Sequence, residues 1–81
     1  MLRLMIVDDE QIIREALSSM IDYTSLGYEV IATAKNGMEA YDRIRDDYPD
    51  VVITDIKMPI LNGLELIERA SRIDSRITFI L

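Results

Sequence analysis

The sequence predicts an α/β fold, a single parallel sheet with helices on both faces. Three observations lead there. Short apolar runs alternate with stretches of helical period, in the order β-α-β-α-β-α-β. Runs such as Val51-Val52-Ile53 are apolar at successive positions, as suits strands covered from both sides. No Pro/Gly/Ser-rich linker or low-complexity tract divides the chain, and 81 residues suffice for one domain with a modest core.

Each element follows from its local pattern. Leu2 to Val7 is dense in Leu, Ile and Val and reads as the first strand. Glu10 to Ile21 switches to helical period, with Ile13, Leu17, Met20 and Ile21 on the face expected to turn inward. Asp22 to Gly27 reads as a loop, and Tyr28 to Ala34 as the second strand. Gly37 to Tyr48 is again helical through Ala40, Tyr41, Ile44 and Tyr48, until Pro49 and Asp50 break the pattern. Val51 to Thr54 is a short strand, followed by a loop from Lys57 to Asn62. Gly63 to Arg72 is the third helix, with Leu64, Ile67, Ala70 and Ile73 expected inside, and Ile77 to Leu81 begins a fourth strand.

Two helix starts share one pattern. Asn36-Gly37-Met38-Glu39 and Asn62-Gly63-Leu64-Glu65 each place Asn at an N-cap, with Glu three positions on to reach back. Asn-Gly is also a hairpin signal, but period 3.6 follows both pairs, which favours the cap. An old repeat and a coincidence of caps both remain open.

Composition narrows the chemistry. The chain has no Cys and no His. That excludes a disulfide framework, a thiolate zinc site, a thiol nucleophile and an imidazole general base. Nine basic residues stand against fifteen acidic ones, a net charge of −6, and the basic ones form no run. Direct nucleic-acid binding by this segment is not expected, nor is binding to an anionic membrane. The opening apolar run meets Asp8 too soon for a signal sequence or a membrane span, and a cytoplasmic location is expected.

The carboxylates concentrate at one place. In open α/β sheets ligands sit beyond the carboxyl ends of strands, at the switch point in strand order. Asp8 and Asp9 follow the first strand and Asp55 follows the third. If those strands are neighbours, the three acids meet within roughly 5 Å, where each like-charge pair costs about 3 kcal/mol at an effective dielectric near 20. A hard divalent cation such as Mg²⁺ relieves that cost through oxygen ligands. The plainer alternative is that Asp8 and Asp9 cap the first helix. Asp55, between Thr54 and Ile56 in an apolar stretch, has no such excuse.

The motifs around these acids resemble the N-terminal part of bacterial response-regulator receiver domains. They are Met5-Ile6-Val7-Asp8-Asp9-Glu10, Asp50 through Pro59, and Asn62-Gly63-Leu64-Glu65-Leu66, and the similarity extends over the whole chain. The resemblance implies a flavodoxin-like (CheY-like) sheet of order 2-1-3-4-5, cut after the start of strand four. Residues 1–81 would then be an incomplete receiver, with the last part of the domain and any output domain beyond Leu81.

The resemblance also implies roles. Asp55 is the phosphoacceptor, taking a phosphoryl group from a phosphohistidine of a sensor histidine kinase. Asp9 is a direct Mg²⁺ ligand, Asp8 acts largely through water, Asp55 is itself among the metal ligands, and the Lys57 backbone carbonyl completes the set. Pro59 and Gly63 shape the loop behind the acceptor. The chain is then a switch and not an enzyme, with self-dephosphorylation at most. The segment from Asp22 to Glu29 resembles receivers attached to AraC-type transcriptional outputs.

The family's Ser or Thr after strand four and Lys after strand five are not reached. The apolar fourth strand has an open edge, which leads us to expect a homodimer or a swapped assembly. Two other functional classes are alternatives to the switch. A Mg²⁺-dependent phosphohydrolase with an Asp nucleophile usually carries a second Asp two positions on, where this chain has Lys57 after Asp55 and Glu10 after Asp8. A phosphorylation-independent interaction module does not need the three acids.

Overall fold

The computed structural model describes residues 1–81. Strands β1 (Leu2–Val7), β2 (Tyr28–Ala34), β3 (Val51–Thr54) and β4 (Thr78–Ile80) alternate with helices α1 (Gln11–Met20), α2 (Gly37–Asp47) and α3 (Gly63–Ile73). The four strands form one parallel sheet in the order β2-β1-β3-β4. The chain therefore reverses its direction of winding between β2 and β3, which puts the switch point between β1 and β3. The sequence-derived limits of β1, β2 and β3 hold to the residue. The expected loop at 22–27 contains a single 3-10 turn, Thr24–Leu26, closed by Gly27 at φ 87°.

Alternation along the strands divides the core in two. Met5 and Val7 of β1, Ala32 and Ala34 of β2 and Val52 of β3 point to the face covered by α2 and α3. Ala40 and Ile44 of α2 and Leu66 and Ala70 of α3 meet them there, all four without exposure to solvent. Leu4, Ile6 and Val51 point to the other face, where Tyr23 and the partly buried Leu17 of α1 lie over them. Helices thus cover both faces, but unequally.

Three inward faces differ from expectation. Helix α1 has no buried residue, and Met20, expected inside, is 81% exposed. One helix over one face finds apolar contact only through Leu17. In α3, Leu64 is exposed and Leu66 takes the inner place. In α2, Tyr48 has left the helix: it is the C-cap residue at φ 49°, exposed, with its N–H bonded to the Ile44 carbonyl. Left-handed backbone at a helix end turns the next side chains off the helical stripe.

Candidate functional site

Parallel pairing brings the acids together. Val7 of β1 is in register with Thr54 of β3, so the residues that follow each leave the sheet side by side. The Asp55 N–H donates to the Val7 carbonyl at 3.0 Å, and the Asp8 N–H to the Ala34 carbonyl at 3.1 Å. These bonds continue the two ladders one residue past the strands and fix where Asp8 and Asp55 start. Asp8, Asp9 and Asp55 each then offer a carboxylate oxygen, and these oxygens lie within 4.8 Å of one another. Asp8 is buried, Asp55 half-buried and Asp9 exposed.

Helix capping does not account for this cluster. The N-cap of α1 is Glu10, with no side-chain hydrogen bond to the helix. The Asp8 carboxylate instead accepts the Glu10 N–H at 2.9 Å, a turn within the loop that leaves its second oxygen free of protein donors. From the second turn of α1, Arg14 donates to the Asp8 backbone carbonyl at 2.8 Å and ties the helix to the loop. No carboxylate lies within salt-bridge distance of that guanidinium. Three acids at this separation repel by about 3 kcal/mol per pair at an effective dielectric near 20. The donor set is all oxygen, the chemistry of a hard divalent cation, so the cluster could hold a metal ion.

The loop from Asp55 to Asn62 frames the site. Lys57 is exposed, and its backbone carbonyl accepts no hydrogen bond from the chain, which leaves both lone pairs free two residues past Asp55. At Pro59 the carbonyl accepts the Leu61 N–H at 2.8 Å, a tight turn about Ile60 at φ 73°. That is costly backbone for an exposed β-branched residue. Gly63 lies against the acceptor itself: a Cβ there would fall on the Asp55 carbonyl oxygen and 3.1 Å from the Ile56 Cα. Its N–H also donates to the Ile56 carbonyl at 2.8 Å. Asn62 then caps α3 reciprocally: its side chain accepts the Glu65 N–H at 2.9 Å and its N–H donates to the Glu65 carboxylate at 3.1 Å.

Every residue expected at the site is therefore at or beside it, with three carboxylates in one cluster, Lys57 and Pro59 in the adjoining loop and Gly63 at the start of α3. Two contributors were not singled out from sequence as site residues. Arg14 lies off the apolar stripe of α1 and belongs to no motif. Gly37, where a Cβ would fall on the Leu61 carbonyl oxygen and within 2.7 Å of the Leu61 Cβ, read only as part of a cap. The signal for Gly37 was in the repeated Asn-Gly-x-Glu pattern. Arg14 carried none.

Comparison with known proteins agrees with this geometry. The family described as response regulator receiver domain matches residues 4–81. The chain is 42% identical over 80 residues to the uncharacterized transcriptional regulatory protein YesN of Bacillus subtilis, covering 99% of this chain and 22% of that protein. The receiver domain of AraT, a response regulator from Geobacillus stearothermophilus, superposes with a TM-score of 0.91 at 35% identity, over 96% of this chain and 60% of that one. A two-component transcriptional regulator AraC from Clostridium phytofermentans gives 0.89 at 30% identity, over 98% and 64%. The chain spans from about a fifth to a third of the length of the curated relatives it matches. No helix is long and apolar enough to cross a membrane.

Proposed function

The chain belongs to the response-regulator receiver family, and from that premise we propose that Asp55 is the residue that accepts a phosphoryl group from a sensor histidine kinase. The observation that carries this reading is the convergence of Asp8, Asp9 and Asp55 at the β1/β3 switch point, unexplained by capping or by ion pairs. A carboxylate oxygen of Asp55 attacks phosphorus, the P–N bond to the donor imidazole breaks, and its electron pair stays on the ring nitrogen. The product is an acyl phosphate on Asp55. The missing His fits, because the imidazole belongs to the donor.

The residues present fit Mg²⁺. Asp9, exposed and unengaged, would hold the ion directly, Asp8 would act through water with the oxygen not bonded to the Glu10 N–H, and Asp55 and the Lys57 carbonyl would supply further oxygens. When bound, the ion offsets negative charge on the transferring group. Asp55 is held for attack by its N–H bond to Val7 and by the Thr54 hydroxyl, which donates to the Asp55 carbonyl at 3.0 Å. Pro59 and Gly63 shape the loop that carries it. The chain acts as a switch without substrate turnover beyond self-dephosphorylation, controlling an attached output. The names of the relatives point that output to transcription, of AraC type.

On this reading residues 1–81 form the N-terminal portion of a receiver whose remaining elements lie past Leu81, and the protein works in the cytoplasm. The open edge of β4, which pairs only with β3, is a surface through which two copies pair or swap.

The test is phosphorylation with acetyl phosphate and Mg²⁺, read on a phosphate-affinity gel with and without Asp55→Asn. A band that shifts in the parent and not in the variant is expected. A shifted band that survives Asp55→Asn overturns the assignment.

A further inference from the structure

The two look-alike helix starts hold opposite ends of one loop. Gly63, first residue of α3, lies on the carbonyl of Asp55, where the acceptor loop begins. Gly37, first residue of α2, lies on the carbonyl of Leu61, where it ends. Neither glycine has positive φ, so neither is needed for a left-handed backbone. What they share is a bare Cα where another backbone passes.

We propose that Gly37 is a positioning residue for the acceptor loop, its missing side chain seating Leu61 and so setting where the loop presents Asp55 and Lys57. The inference rests on the phosphoacceptor reading above. From Ile56 to Leu61 the loop has few bonds of its own. The Leu61 N–H closes on Pro59, and the Ile56 carbonyl receives the Gly63 N–H. Its far end is placed by packing: Leu61 is 2% exposed and Met58 is buried in the same cluster as Ala40 and Ile44 of α2. The start of α2 has little room to slide away, because Ala40 and Ile44 hold the helix in the closed core without solvent exposure and the Asn36 cap keeps its first turn intact. A Cβ on Gly37 would therefore push Leu61, and Leu61 would push the turn at Ile60.

The sign of one substitution separates this from a glycine that merely fills a helix. Ala is the better helix former, so Gly37→Ala in a filler position stabilises the protein and leaves the loop alone. In the positioning role, Gly37→Ala keeps its helical circular dichroism, shifts the Ile56–Asn62 amide resonances without metal, and weakens Mg²⁺ binding roughly tenfold, as loss of groups behind a metal ligand commonly does. An unchanged loop spectrum with unchanged Mg²⁺ affinity overturns the proposal.

If Gly37→Ala does not fold, the parent protein decides. The Gly37 amide should then move through a Mg²⁺ titration with the same dissociation constant as Asp55, and a Gly37 amide that stays still overturns the coupling. Should the parent bind no Mg²⁺ at Asp55, the phosphoacceptor reading falls. Where Gly37→Ala folds, its metal-free shifts then decide the role of Gly37 without the metal.

Discussion

The two faces of the sheet are built from the same strands and end differently. On the α2/α3 face, a cluster of 12 buried residues is closed by two helices. On the α1 face the cluster has 4, and the helix above it buries nothing completely. Yet α1 is as clearly amphipathic as α2. Pattern in a helix records which side is apolar, and the amount of burial depends on how many neighbours share that side. Two helices side by side cover each other's flanks as well as the sheet. One helix leaves Ile12, Ile13 and Met20 beside open solvent.

The largest expected effect tests that asymmetry directly. Leu66→Ala, on the covered face and without solvent exposure, should cost about 3 kcal/mol of unfolding free energy through lost transfer and cavity terms. Leu17→Ala, half-buried between α1 and the sheet, should cost about 1 kcal/mol because its site is already partly wet. Urea denaturation of both variants checks the pair. Equal costs would mean that the α1 face is covered in solution, and sedimentation would then show whether a second copy covers it.

The caps come next, and they differ between the two helices of the covered face. Asn62 makes the reciprocal box with Glu65, whereas Asn36 makes only the forward bond to the Glu39 N–H. Replacing either by Ala should cost on the order of 1 kcal/mol, more at Asn62. Glu65→Ala should cost part of the Asn62 effect, and Glu39→Ala should cost less, since the Glu39 carboxylate accepts nothing from the Asn36 N–H. A Glu39→Ala loss as large as that of Glu65→Ala would show that the second box closes in solution.

The sheet and its acidic tip were legible in the sequence because both depend on local runs. Leu2 to Val7 and Val51 to Thr54 are apolar stretches ended by Asp, and parallel pairing of such strands brings their following residues together whatever the helices do. The inner side of α3 was legible in its second half, where Ala70 and Ile73 face the core as expected, and misread at its start, where Leu66 and not Leu64 is buried. Leu64, Leu66, Ile67, Ala70 and Ile73 give two overlapping stripes, and the true one runs Gly63, Leu66, Ala70, Ile73. It is headed by a glycine, which carries no apolar signal. In α2 the expected Ala40 and Ile44 are buried, and the position the pattern missed is again the leading glycine, Gly37. In both helices the residue that orients the stripe is the one that touches the acceptor loop. Hydrophobic pattern cannot register a contact made by the lack of a side chain. Arg14 was hidden for another reason: its bond is to a backbone carbonyl, and every residue has one.

On the α1 face, Tyr23 does what a second helix does on the other. It is buried, and its hydroxyl donates to the Leu17 carbonyl at 2.7 Å, fastening the end of α1 to the sheet. Tyr23→Phe should cost about 1 kcal/mol through the unpaired carbonyl. Burial also raises the Tyr23 pKa above its ordinary 10.0. A raised folded value favours the protonated form, so this contribution is intact below about pH 10 and is lost as pH climbs through the folded pKa. Stability followed by fluorescence from pH 8 upward should fall earlier in the parent than in Tyr23→Phe, and parallel curves would remove Tyr23 from the alkaline transition.

The smallest expected effect is the sharpest test of the asymmetry. Met20 is 81% exposed and Ile12 80%, so each can become Lys with a change within about 0.5 kcal/mol. The charge balance favours the substitution, since each Lys offsets one of six net negative charges. Met20→Lys and Ile12→Lys thus ask whether α1 faces water in solution as it does in the structure. A loss of 2 kcal/mol or so in either, a size reserved for buried sites, would show that something covers α1. The unequal faces would then belong to the isolated chain and not to the working protein.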